Sequence, residues 1–168
     1  LQDDRTPEQL TAEAIEAAKK ADYVIFVGGM NKAHNQDCED GDRLHYELPY
    51  AQDQLISALA AVNDRVIFVS ISGNAHGMPW SQEVEAILQA WYPGQAGGTA
   101  IASVLFGDYN PAGRLPLTFY RNTAQLPDFE EYSMKGRTYR YMTEKPLFPF
   151  GHGLSYSHFE YGDARLSH

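Results

Sequence analysis

The chain has 168 residues, 43% of them apolar and 21% charged, with a net charge of −9. That length is about one domain able to bury roughly 68–70% of its unfolded surface, and the composition is that of a globular protein rather than a disordered or membrane-spanning one. The acidic balance argues against a nucleic-acid partner, because release of counterions from a phosphate backbone needs an excess of cations, and the chain carries an excess of carboxylates; no run of 18 apolar residues offers a membrane span.

A single cysteine, Cys38, excludes an internal disulfide framework and leaves the redox compartment open. The N-terminus, Leu1-Gln2-Asp3-Asp4, has neither an initiating Met nor a basic-then-apolar leader. The chain therefore reads as a mature product or a piece of something longer, with any targeting signal outside it; a secreted or periplasmic location is suspected, and this chain does not decide it.

Thr6-Pro7-Glu8-Gln9 supplies an N-cap, a proline at the first helical position and a Gln three residues after the cap, and Leu10, Ala14, Ala17 and Ala18 then share a face. This is a helix start, with its end near Lys20. Residues 23–27 form a β-branched and aromatic run closed by Gly28-Gly29, which reads as a strand buried on both faces. From Pro49 the spacing of Ala51, Leu55, Leu59 and Val62 predicts a second amphipathic helix ended by Asn63-Asp64. Residues 66–71 read as a second buried strand.

Between Pro79 and Pro93 helical and strand periodicities compete, and the Pro93-Gly94 stop, just ahead of a clear helix, favours a strand over 85–91. The helix carries Ala100, Ile101, Val104 and Leu105 and stops at Gly107. Residues 115–120 read as a fourth strand, with Pro116 suiting an edge position. Residues 121–168 are rich in turn residues and aromatics with little periodicity. The expected organisation is an α/β sandwich core over 1–120 and an extended tail over 121–168 that packs on the core and leads toward a possible following domain. Alternating strands and helices imply a mostly parallel sheet flanked by helices on both faces, with the loops after the first two strands opening on one rim.

One of those loops concentrates the chemistry. From His34 to His45 it holds Asp37, Glu39, Asp40 and Asp42 with Cys38, Arg43 and two imidazoles. Like charges this close raise one another's pKa, so the cluster suggests chemistry, although a solvated acidic loop is the plainer reading. A metal site lacks the ligand spacing that places two donors on one face, and the carboxylates around Cys38 disfavour its thiolate. Pro93-Gly94-Gln95-Ala96-Gly97-Gly98 precedes a helix but matches no phosphate-binding pattern, so tight strand-to-helix turning explains it better. His76 and Trp80, in the loop after the second strand, are candidates for a ligand wall, with core packing as the plainer alternative. Among the carboxylates, Glu39 is flanked by Asp37, Asp40 and Asp42, which would be expected to lift its pKa toward the range a general acid needs. Arg43 would oppose that lift by pairing with Glu39, or would hold Asp42 and fix the loop.

At this point the blocks along the chain resemble those of glycoside hydrolase family 3, the β-glucosidase and β-xylosidase family. The resemblance is carried by Asp37-Cys38-Glu39-Asp40-Gly41-Asp42-Arg43 with Glu47-Leu48-Pro49 and Gln52-Asp53-Gln54-Leu55-Ile56. It continues in Ser72-Gly73-Asn74 through Met78-Pro79-Trp80, in Ala86 to Gly94, in Val104 to Asp108, in Asn110 to Pro116, and in Gly136 to Tyr141 and Pro146 to Tyr156. It implies the second domain of a two-part catalytic unit, an N-terminal (β/α)₈ barrel joined to this α/β sandwich with the active site between them. The barrel would bring a nucleophilic Asp, whose Ser-Asp-Trp motif is absent here. The sandwich loop would bring the general acid/base, at the Glu-Gly-x-Asp-Arg position that Glu39 fills; Asp40 stands where Gly is common, a departure from the pattern.

The resemblance further suggests an opening strand upstream of Leu1 and a fibronectin-like domain after Tyr161. It implies a retaining, exo-acting β-glycosidase, a β-glucosidase in the first reading and a β-xylosidase in the alternative. A non-catalytic carbohydrate-binding or interaction module is the competing class. Contacts to a neutral sugar are expected from His34, Asp37, Asp42, Arg43, His76 and Trp80, and no cofactor or metal is expected.

Overall fold

The computed structural model describes residues 4–32, 36, 37, 39 and 43–167. Helix α1 (Pro7–Ala18) begins in a full capping box: the Thr6 hydroxyl accepts from the Gln9 amide, and the Gln9 side chain accepts from the Thr6 amide at 2.8 Å. Strand β1 (Val24–Gly29) follows, then α2 (Gln52–Ala60), β2 (Val66–Ile71), β3 (Ala86–Gln89) and α3 (Gly97–Leu105). The strands form one parallel sheet in the order β1-β2-β3. Helix α2 starts later than the spacing predicts, because Tyr50 and Ala51 both take left-handed backbone angles that a right-handed helix cannot include.

Register places Val24 beside Val66, Phe26 beside Phe68, and Phe68 beside Ile87, so these side chains share one face. Ala14 and Ala18 of α1 and Leu55 and Leu59 of α2 pack there against Val24 and Val66. Farther along, Phe68 meets Trp80 edge-on at 4.7 Å, and Phe26, Met30, Ile56 and Met78 fill the space around them. The other face of β1 differs from expectation. Ile25 is 46% and Val27 60% exposed, so β1 is buried on one side only.

Residues 115–120 do not join the sheet. They meet the tail instead through an isolated antiparallel bridge between Phe119 and Phe148, with further bonds from the Leu115 amide to the His152 carbonyl and from the Gly151 amide to the Leu115 carbonyl, both 2.8 Å. A continuous ladder is blocked because Pro116, Pro146 and Pro149 have no amide proton to give. Phe119 is nonetheless buried and touches His76, Trp91 and Phe148 edge-on, which ties the tail to the sheet's core. Beyond this, the tail contains a 3₁₀ turn (Thr123–Gln125), the short helix α4 (Thr138–Tyr141) and otherwise irregular chain. Among the described residues no helix is long and apolar enough to cross a membrane.

Candidate active site

In a parallel sheet all strand ends of one kind lie on one rim, and the carboxyl-end rim is the usual ligand side. Here it is built by the chain after Gly29, after Ile71 and after Gln89. Its foundation is Gly29, whose φ of +133° and close approach to β2 admit no side chain: an added Cβ would lie 2.0 Å from the Ile71 carbonyl oxygen. The Gln52 side chain uses that bare backbone, accepting from the Gly29 amide at 2.8 Å and donating to its carbonyl at 2.9 Å. In this way α2 closes the end of β1 much as another strand would.

The loop after β1 then folds onto the loop after β2. Asp37 accepts three hydrogen bonds, from the Gly73 amide at 2.5 Å, the Asn74 side-chain amide at 2.9 Å and the Tyr92 hydroxyl at 2.7 Å. Partial burial pushes the Asp37 carboxyl up, but these donors and the nearby Arg43 charge outweigh it and hold the group below the usual carboxylate range. Burial and the facing carboxylate push the Tyr92 phenol up to about 12, so it remains a donor at any ordinary pH. Arg43 donates to the Ala75 carbonyl at 2.7 Å and to the Met30 sulfur at 3.1 Å rather than to Glu39. Glu39 sits between these two anchored residues on an exposed turn.

His76 and Trp80 are not part of an open wall. Both are fully buried, and both spend their polar atoms internally. The Trp80 indole donates to Asp53 at 2.6 Å. His76 Nδ1 lies 2.9 Å from the Gly77 carbonyl, which can only accept, so the proton is on Nδ1 and Nε2 faces the Ser70 hydroxyl at 2.9 Å. Burial lowers this imidazole to about 4 and keeps it neutral. A fully covered ring has no surface to offer a sugar, so the expected ligand wall is corrected to core packing for both residues. His34 and Asp42, expected to touch substrate, lie outside the described residues, as do Cys38 and Asp40. Among the described residues no three His, Cys, Asp or Glu side chains converge as metal ligands would.

The segment 93–98 behaves as a turn. Gly94 takes a φ of +73°, and Gly97 packs so closely on Pro93 that an added Cβ would lie 2.6 Å from the ring. The residues that sequence reasoning missed are Gly73, Asn74 and Tyr92 on the rim and Asp53 beneath it. Each stands in a block that carries the family resemblance, yet no local pattern reveals that Tyr92 reaches a carboxylate 55 residues away.

A small parallel sheet flanked by helices, with Asp37 bonded across its carboxyl-end rim, defines the α/β sandwich type of domain. The profile of the glycosyl hydrolase family 3 C-terminal domain matches residues 3–156, and the chain belongs to that family. It is 50% identical over 163 residues to a xylan 1,4-β-xylosidase of Xylanibacter ruminicola, covering 92% of this chain and 19% of that protein. It is 46% identical over 179 residues to a β-glucosidase of Bacteroides ovatus, covering 96% of this chain and 24% of that protein. The crystal structure of a β-glucosidase from Kluyveromyces marxianus in complex with glucose superposes with a TM-score of 0.84 at 31% identity, over 95% of this chain and 20% of that one. The chain thus spans about a fifth to a quarter of the length of the relatives it matches.

Proposed function

We propose that this domain supplies the general acid/base of a retaining, exo-acting β-glycosidase, and that Glu39 is that residue. The observation that carries the reading is the placement of Glu39: exposed, on the carboxyl-end rim, and flanked by two residues fixed to the loop after β2. A second domain, a (β/α)₈ barrel of the same protein, brings the nucleophilic carboxylate. In the first step that carboxylate forms a bond to the anomeric carbon while the Glu39 carboxyl gives its proton to the departing glycosidic oxygen, which takes the electron pair of the broken bond. In the second step Glu39, now a carboxylate, removes a proton from water as the water oxygen attacks the same carbon and releases the nucleophile. This route requires the two carboxyl groups about 5–5.5 Å apart.

The sugar is glucose in this reading. A β-xylosidase is the second reading, favoured by the 50% identity to a protein named for xylan 1,4-β-xylosidase activity. The test uses the full-length protein that contains this domain. Glu39→Gln is expected to lower turnover of an aryl β-glycoside by about two to four orders of magnitude, the usual worth of a positioned acid/base. Unchanged turnover would remove the assignment. The same assay with matched glucoside and xyloside decides between the two sugars.

A further inference from the structure

Glu39 is bracketed by two anchors that stand on consecutive residues of another loop. Before it, Asp37 accepts from the Gly73 amide at 2.5 Å and the Asn74 side chain at 2.9 Å; after it, the Arg43 guanidinium donates to the Ala75 carbonyl at 2.7 Å. A third loop joins at the same carboxylate, since the Tyr92 hydroxyl beyond β3 donates to Asp37 at 2.7 Å. The contact has structural conditions. Trp91 takes a φ of +55°, a conformation that a bulky aromatic rarely adopts and that sets the direction in which the chain presents Tyr92. Gly73 leaves room for the pair, because an added Cβ would lie 2.8 Å from the Tyr92 ring and 3.0 Å from the Asp37 carboxylate.

We propose that Asp37, held by Tyr92, Gly73 and Asn74, is a positioning residue for Glu39: the clamp fixes the near side of the acid/base loop, and Arg43 fixes the far side. The inference rests on the reading of Glu39 given above and assigns Asp37 and Arg43 to holding the loop rather than to the sugar. It has a physical motive. A proton donor displaced by about 1 Å from its acceptor loses on the order of a hundred-fold in rate, so an exposed glutamate on a long loop needs fixed feet. Asp37 meets that need with three donors on two other segments, both of its oxygens engaged.

The test separates positioning of the acid from general damage by varying how much the leaving group needs a proton. In the full-length protein, kcat/KM for a phenyl β-glycoside reports a first step that depends on protonation. That for a dinitrophenyl β-glycoside of the same sugar reports one that hardly does. Asp37→Asn is expected to lower the phenyl value about a hundred-fold and Tyr92→Phe about ten-fold, with the dinitrophenyl value changed less than about three-fold in both. Tyr92→Phe removes one hydroxyl and keeps the ring, so it reads the clamp even if Asp37→Asn fails to fold. Glu39→Gln serves as the reference and shows the same selectivity more strongly. Parallel losses on both substrates, or no loss on either, in a protein whose Glu39→Gln variant is selective would overturn the positioning role alone. Absence of selectivity in Glu39→Gln would instead strike the functional reading beneath it.

Discussion

Trp80 shows how a residue that reads as a ligand contact becomes a structural one. Its ring is enclosed beside Phe68, and its one donor is committed to Asp53, whose other oxygen accepts from the Leu48 amide at 3.2 Å. Burial pushes the Asp53 carboxyl up, and the Trp80 and Leu48 donors offset part of that rise. Trp80→Phe keeps most of the apolar contact but leaves Asp53 short of a donor, and is expected to cost about 1–3 kcal/mol in urea denaturation. His76 makes a prediction about pH. Because burial lowers its pKa from 6.5 to about 4, the unfolded chain takes up a proton over that interval while the folded chain refuses it. Stability is then at its plateau above about pH 6.5 and falls as pH drops toward 4, by up to about 3 kcal/mol. A His76→Gln protein is expected to show a flatter profile across the same interval; an unchanged slope would assign the effect to other groups. In the sequence, His76 and Trp80 show only what they are chemically. What decides their role is enclosure: Phe68 on β2 covers both rings, and Phe119, 43 residues beyond His76, covers the imidazole.

Among the elements, those whose causes are local were the legible ones. The capping box of α1 lies within four residues, and β2 is bounded as its apolar run indicates. The competing periodicities before Pro93 resolve to β3 because a stop signal follows closely and the chain gains a parallel partner in β2. The misreadings concern partners. Residues 115–120 have a strand's composition, but their pairing depends on a tail segment interrupted by prolines, and β1's apolar run does not reveal that only one of its sides is covered. The clamp on Asp37 was invisible for the same reason, as its donors stand 36 and 55 residues away. Glycines give a test at this scale. Gly29→Ala places a methyl group against the Ile71 carbonyl at a positive φ and is expected to cost about 3 kcal/mol or more, if the protein folds at all. Gly113→Ala, with nothing within 4 Å and an ordinary φ, is expected to be neutral within about 0.5 kcal/mol in the same denaturation experiment.

As a whole, the domain is an incomplete machine under this account. In the proposed reading it supplies the proton donor and the loops that aim it, and the nucleophile is expected from another domain of the same protein. The purified chain alone is accordingly expected to hydrolyse neither aryl β-glucosides nor β-xylosides, and turnover by a rigorously pure sample would contradict that division of labour. The family resemblance was legible because its blocks run through nearly the whole chain in order, and the match over residues 3–156 bears it out. The central claim is most directly tested by product analysis of the full-length Glu39→Gln protein acting on a dinitrophenyl β-glycoside with added azide. Azide needs no base to attack the glycosyl-enzyme, so the account predicts faster turnover with azide and a β-glycosyl azide of retained configuration. Wild-type-like turnover with only the free sugar as product would contradict it.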